Sequence, residues 1–159
     1  MTKALYAGSF DPITFGHVDV IQRASRIFDQ VYVAISINTH KHALFTTDER
    51  AAFAKAALQQ LDNVEVITSE ELTVNLARQL GATVLVRGVR GSADLDTEMS
   101  IAGLNEKLDD RIQTVFLPTA ANYRDLSSSM IKEISKFHGD VSKFVPKSVA
   151  AALAAKYAK

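Results

Sequence analysis

The chain contains no cysteine, which excludes disulfides, thiol catalysis and cysteine-ligated metals at once. It also lacks any excess of charge. Eighteen Lys and Arg balance eighteen Asp and Glu, where a binder of nucleic acid or anionic membrane carries a basic excess or stripe. The apolar run Val31 to Ile37 is far too short to cross a bilayer. Met1-Thr2-Lys3-Ala4 enters a strand directly, without a signal-peptide apolar core. A cytoplasmic protein with no nucleic-acid and no membrane partner is therefore expected. The common nucleotide fingerprints are missing too: there is no Gly-x-Gly-x-x-Gly and no Gly-Lys-Ser/Thr P-loop. There is no His-Glu-x-x-His, and His40 and His42 on either side of Lys41 read as solvated, so no protein metal ligands are assigned. No serine sits in a Gly-x-Ser-x-Gly elbow, which argues against a serine hydrolase.

What is present is an alternation. The 159 residues, 47% hydrophobic, suit one domain spanning 1–159. Strand-like runs at Ala4–Ala7, Val31–Ile37, Val64–Thr68, Thr83–Val86 and Ile112–Leu117 alternate with helical patterns. The helical patterns are Val18–Phe28; a second with Ala52, Phe53, Ala56, Ala57 and Leu61 on its apolar face; Leu72–Leu80; Ala93–Leu108; and a fifth with Met130, Ile131, Ile134 and Phe137 inside. Thr46 and Glu49 have capping-box spacing. Gly81 and Gly139 read as helix stops, and Pro146 suits the first position of an alanine-rich terminal helix. The expected fold is α/β: a Rossmann-like, doubly wound domain with a five-stranded parallel sheet and helices on both faces. Ligands of such sheets sit outside the carboxyl ends of the strands, where the winding reverses.

The unusual polar residues all fall at that edge. Gly8-Ser9-Phe10-Asp11-Pro12-Ile13-Thr14-Phe15-Gly16-His17 follows the first strand. Gly8 is expected to leave the strand at a dihedral that resists a side chain, and Gly16 to leave room for a ligand. His17 at the mouth of a helix is placed to donate to a phosphate. Lys41 follows the second strand, Arg87 and Arg90 the fourth, and Ser127, Ser128 and Ser129 open the helix after the fifth. Cations, hydroxyls and helix N-termini converging from four loops suit a ligand with several phosphates. Singly, each has a plainer reading. His17 also fits a cap, Lys41 and Glu98 fit solvated charges, the two arginines fit a surface ion-pair cluster, and one serine suffices for a cap.

The combination Gly8 to Pro12 with Thr14-Phe15-Gly16-His17, and Leu126-Ser127-Ser128-Ser129-Met130-Ile131-Lys132, resembles the nucleotidylyltransferases that carry a Thr/His-x-Gly-His motif. Thr14, Arg87-Gly88-Val89-Arg90, the loop around Lys41 and the overall length resemble their phosphopantetheine adenylyltransferase branch. The resemblance implies transfer of AMP from ATP to 4′-phosphopantetheine, giving dephospho-coenzyme A and pyrophosphate in coenzyme A biosynthesis. It implies that His17 stabilises charge on the α-phosphate, and that Ser9 and Lys41 hold the acceptor phosphate. Arg87, Thr73 and Asn105 would contact the pantetheine substrate. Ser9, Phe10, His17, Gly88, Val89, Arg90, Glu98 and the segment Tyr123, Arg124, Asp125, Leu126, Ser127, Ser128 and Ser129 would bind ATP. It also implies Mg2+ with the ATP, a homohexamer, and feedback inhibition by coenzyme A.

A phosphate monoester is already anionic near neutral pH, so this reaction needs no general base, only alignment and charge stabilisation. Two alternatives stay open at this point: a related nucleotidylyltransferase with another phosphate acceptor, and a non-catalytic module that binds nucleotide or coenzyme A.

Overall fold

The structure is a computed structural model and describes residues 1–37 and 42–158. Five parallel strands, β1 (Lys3–Gly8), β2 (Gln30–Ser36), β3 (Val64–Ser69), β4 (Val84–Val89) and β5 (Gln113–Pro118), form one sheet in the order β3-β2-β1-β4-β5. Six α-helices connect and flank them: α1 (Phe15–Ile27), α2 (Thr47–Leu58), α3 (Thr73–Leu80), α4 (Ser92–Leu108), α5 (Ser128–Lys136) and α6 (Lys147–Lys156). The winding reverses between β1 and β4, as expected of a doubly wound sheet.

Strand side chains alternate between two cores, as the pleat requires. Ala4, Tyr6, Val31, Val33, Ile35 and Val86 point toward a cluster completed by α1, α2 and α6. Leu5, Ala34 and Leu85 point the other way, to Val74, Leu76 and Ala77 of α3. β1 pairs with β2 from Lys3↔Gln30 to Gly8↔Ile35, but with β4 only at Ala4↔Val84 and Leu5↔Leu85. The sheet therefore splays at its carboxyl edge between β1 and β4, and the crevice opens there.

Several local expectations hold. Thr46 caps α2, accepting from Glu49 N–H at 3.1 Å while Glu49 accepts from Thr46 N–H at 2.8 Å. Gly81 ends α3 in the left-handed region at φ 71°. Others are corrected. Gly8 does not carry the unusual dihedral; Phe10 does, at φ 46°. Gly8 is needed for space instead, because a Cβ there would lie 3.1 Å from the Phe10 ring. His138, at φ 62°, rather than Gly139, turns the chain after α5. Gly139 lets its backbone approach Ile134, whose Cγ2 would lie 2.5 Å from an added Cβ. β4 runs three residues beyond Val86, pairing Arg87↔Phe116, Gly88↔Leu117 and Val89↔Pro118.

The fully buried residues of α2 are Arg50, Ala51, Ala54 and Leu58; of those expected, Phe53, Ala57 and Leu61 pack partly buried against the same core, whereas Ala52 and Ala56 are exposed. Alanines on every side of this helix leave its apolar direction undefined by pattern. In α5, Ile131 is buried, but Met130, and Phe137 just past the helix end, are 55% and 74% exposed. No residue of α4 is buried, and Leu95, Met99, Ile101, Leu104 and Leu108 are exposed along it. Among the described residues no helix is long and apolar enough to cross a membrane.

Candidate active site

Three adjoining cavities line the splayed edge. The first, of about 160 Å³, lies between the sheet and α4 and is lined by Ala7, Thr73, Leu85, Arg87, Glu98 and Asn105 among others. The second, of about 240 Å³, is lined by His17, Gly88, Arg90, Glu98, Leu126 and Ser127 among others. The third, of about 540 Å³, is lined by Ser9, Asp11, Arg50, Ser128, Ser129 and Lys132 among others. Arg87 and Glu98 belong to the first and second cavities, and Ser128 to the second and third. The three thus share walls and lie as neighbours along one trough.

His17 sits at position N3 of α1, in a capping box with Thr14 at the N-cap. The Thr14 N–H donates to His17 Nδ1 at 3.0 Å, and Thr14 Oγ1 accepts from the His17 N–H at 3.4 Å. A ring nitrogen that accepts carries no proton, so Nε2–H is the ring's one donor, left for the second cavity. Burial lowers the His17 pKa to about 4, and the nearby charges of Arg87 and Arg90 push in the same direction. The imidazole is therefore a neutral donor at physiological pH. Its ring meets the Phe10 ring edge-on at 5.0 Å, and Phe10 in turn meets Tyr6 at 5.3 Å. This packing holds the left-handed Phe10, whose strain has a local cost. It also means that the Phe10 side chain, expected near ATP, is core beneath His17 and is 3% exposed.

Arg87 spans the split in the sheet. One guanidinium nitrogen donates to the Ala7 carbonyl, in the stretch where β1 and β4 no longer pair, so that group is satisfied. Nε and a second terminal nitrogen donate to the two oxygens of Glu98 at 2.8 and 2.9 Å, in the fork geometry that arginine favours. The guanidinium also lies 5.8 Å from the Tyr6 ring centre. Burial opposes the Arg87 charge, but Glu98 and Tyr6 more than offset it and its pKa is raised. Burial also raises the Tyr6 pKa, keeping its hydroxyl protonated at the second cavity.

Arg90 donates to Asp94 and, at 3.1 Å, to the Leu126 carbonyl, tying the end of β4 to the serine loop. The Arg90 hydrogen bond holds the Asp94 carboxyl below its ordinary value. The three serines divide their work. Ser127 caps α5, accepting from the Met130 N–H at 3.1 Å. Ser128 donates to the Pro12 carbonyl at 2.8 Å, fixing the helix start to the first loop. Ser129 lines the third cavity.

The expected residues thus fall into groups. Thr73, Arg87 and Asn105 share the first cavity; His17, Gly88, Arg90, Glu98, Leu126, Ser127 and Ser128 share the second; Ser9, Ser128 and Ser129 share the third. Val89, Tyr123, Arg124 and Asp125 border the trough in sequence but line none of the cavities. Tyr123 instead lies 6.4 Å from Phe15, ring to ring. Lys41 lies outside the described residues. Sequence reasoning missed Asp94 and Arg50 and gave Asp11 and Tyr6 no task. An i,i+4 spacing to Arg90 was the available signal for Asp94; the other three have no pattern that separates them from an ordinary helix, loop or strand residue.

Among the described residues no three His, Asp or Glu side chains stand together as a metal cage. The carboxylates of the second cavity, Asp94 and Glu98, are each engaged by an arginine. A dedicated divalent-cation site is not what these donors make.

Residues 5–134 match a sequence model of the cytidylyltransferase-like family. The chain is 51% identical to the phosphopantetheine adenylyltransferase of Lactobacillus acidophilus over 98% of both chains. It is 48% identical to that of Levilactobacillus brevis, over 98% of this chain and 97% of the relative, and 49% identical to that of Methylococcus capsulatus, over 98% and 96%. A solved structure from Vibrio parahaemolyticus, assigned to nicotinate-nucleotide adenylyltransferase, superposes with a TM-score of 0.71 at 21% identity over 97% of this chain and 99% of that one. At that identity the likeness speaks for the fold alone.

Proposed function

The chain belongs to the cytidylyltransferase-like family and, within it, to the phosphopantetheine adenylyltransferases, and on that premise we propose how its site works. The protein transfers the adenylyl group of ATP to 4′-phosphopantetheine, releasing pyrophosphate and giving dephospho-coenzyme A for coenzyme A biosynthesis. The observation that carries this reading is the pair of cavities meeting at Arg87 and Glu98 beside His17. One is a partly apolar slot for an amide-bearing arm. The other is polar, with two arginines and a helix N-terminus suited to phosphates.

In this arrangement the pantetheine arm lies in the first cavity against Thr73, Arg87 and Asn105. ATP occupies the second, with its phosphates toward Arg90 and the Ser127–Ser129 helix start. Phe10 and Val89, whose side chains line no cavity, would reach the nucleotide through their main chains. Tyr123, Arg124 and Asp125 would close over it. Ser9 and Lys41 hold the acceptor phosphate. The acceptor oxygen attacks the α-phosphorus, the bond to the bridging oxygen breaks, and pyrophosphate leaves with that electron pair. Neutral His17 donates Nε2–H to an α-phosphate oxygen as charge moves through the transition state. No group on the protein gains or loses a proton.

Mg2+ would accompany ATP as its counter-ion and supply charge neutralisation there, and no step runs through a protein-held metal. Coenzyme A carries both the arm and an adenylate, so it fits the same trough and would inhibit by occupying it. The apolar side chains that α4 leaves exposed support an interface between copies of the chain, the kind of contact the proposed homohexamer needs.

The test is pyrophosphate release by the pure protein with MgATP and each acceptor in turn. Release with 4′-phosphopantetheine is expected. Release with nicotinamide mononucleotide or another acceptor alone sinks the reading, and release with none turns it toward a binding module.

A further inference from the structure

Arg50 is 4% exposed and pairs with no carboxylate among the described residues. Instead its guanidinium gathers main-chain carbonyls. Nε donates to Phe45 at 3.2 Å, and one terminal nitrogen donates to Ser9 at 2.8 Å and to Ser36 at 3.1 Å. The other donates to Thr47 Oγ1 at 3.2 Å. Four of the five N–H groups are thereby used. The three carbonyls come from the exit of β1, the end of β2 and the segment leading into α2, which together form the rim of the third cavity.

The opposite side of that rim is gripped by Asp11, 5% exposed, whose carboxylate accepts from Leu44 N–H at 2.9 Å and Phe45 N–H at 3.0 Å. Phe45 is therefore held by its N–H through Asp11 and by its carbonyl through Arg50. Lys132 Nζ donates to Asp11 at 3.1 Å and neutralises it. Among the described residues that line this cavity, the formal charge left over is that of Arg50.

A buried guanidinium without an acid partner is poor economy for stability alone, since an apolar residue of similar size avoids the desolvation. We infer that Arg50 is a positioning residue for the acceptor phosphate. It fixes the Ser9 main chain and the Phe45 segment relative to one another, and it gives the third cavity the positive potential that an incoming phosphate monoester meets. The inference rests on the proposed function, in which Ser9 contacts that phosphate. It assigns Arg50 to the acceptor side of the reaction and not to the ATP side, which is built on β4 with Arg90 and Ser127; the two sides meet at Ser128, at the start of α5.

Arg50→Lys keeps the charge and loses the fork; Arg50→Gln loses both. Thr47→Val, gentler on the fold, removes a single anchor. Full-length protein is assayed for both Michaelis constants, kcat and Tm. The expected result for Arg50→Lys is a rise of about tenfold in KM for 4′-phosphopantetheine, with kcat/KM for it falling up to about 10²-fold, the scale of a misplacement near 1 Å. KM for ATP should move less than about threefold. Arg50→Gln should exceed Arg50→Lys, and Thr47→Val should shift the acceptor KM in the same direction by less. A fall in Tm with both Michaelis constants unchanged, or equal damage to ATP and acceptor, overturns the inference and leaves Arg50 as a stability residue. If the unaltered chain itself releases no pyrophosphate with this acceptor, the proposed function fails first. Turnover by the unaltered chain with an unmoved acceptor KM in Arg50→Lys refutes the positioning role alone.

Discussion

Lowering the pH should leave His17 uncharged long after an ordinary histidine has taken a proton. The ring titrates at about 4 against 6.5 for a free imidazole, a gap of about 2.5 units, or roughly 3 kcal/mol of preference for the neutral form. The sign follows from proton counts. Between pH 6.5 and 4 the unfolded chain binds a proton at this residue and the native chain does not. Stability due to His17 is thus fully present above 6.5, declines as pH falls through that window, and is lost below about 4. The measurement is a ring-nitrogen NMR titration of labelled protein, with urea unfolding of wild type and His17→Gln at several pH values. The NMR should find Nδ1 unprotonated and Nε2 protonated at pH 7, and a midpoint near 4. The glutamine variant should lose the part of the acid-side slope that His17 contributes. kcat/KM should show no inflection near 6.5 from this residue. His17→Ala should cut turnover by about 10²–10³-fold, the usual scale for a lost transition-state donor, while ATP binding changes much less. A midpoint at 6 or above, or a proton on Nδ1, refutes the reasoning, because both follow from the Thr14 N–H bond and from burial.

Three further outcomes follow from packing and charge. Gly139→Ala forces a methyl against the stiff Ile134 side chain and should destabilise by about 1–3 kcal/mol, read as a lowered urea midpoint with an unchanged m-value. Asp109 is held below the ordinary carboxylate range by Arg111 and Arg78, so its contribution is present above about pH 4 and fades as pH falls. Asp109→Asn should lower Tm at pH 7 more than the exposed control Asp110→Asn, with the two converging in acid. Leu104→Glu places a charge on the exposed apolar side of α4 and should lower the mass found by light scattering, with the secondary structure kept by circular dichroism.

The parts legible in the sequence were those written in short-range patterns. Continuous β-branched runs marked the buried strands, Thr46 with Glu49 marked a helix start, and the loops after β1, β4 and β5 could be assigned to one edge because parallel strands leave no other place for them. What escaped depended on contacts far apart in the chain. The direction of α2 is set by Leu58 and the carbonyls that Arg50 reaches, whereas its alanines point everywhere. Phe10 is the exception in range: the Tyr6 and His17 rings that pack on its left-handed turn stand only four and seven residues away, but such packing leaves no spacing signal. The exposure of Met130 and Phe137 could not be told from a buried stripe, since spacing fixes a face and not what covers it. The Glu98–Arg87 fork and the Asp11–Lys132 pair join residues 11 and 121 positions apart, where no local pattern reports on pairing.

The alternation of β4 has a consequence for how the two substrates can be tuned. Leu85 and Arg87 face α4, while Val86 and Gly88 face α1, where a Cβ on Gly88 would lie 3.0 Å from Val20. The strand acts as a partition: Leu85 serves the first cavity alone and Gly88 the second alone, while Arg87 borders both. Substitutions at Leu85 or at Gly88 can therefore alter the fit of one substrate with little change to the other, whereas one at Arg87 should disturb both. Deletion of a single residue ahead of Arg87 exchanges the two sets. Such a deletion should abolish both affinities together, although the strand itself could still pair.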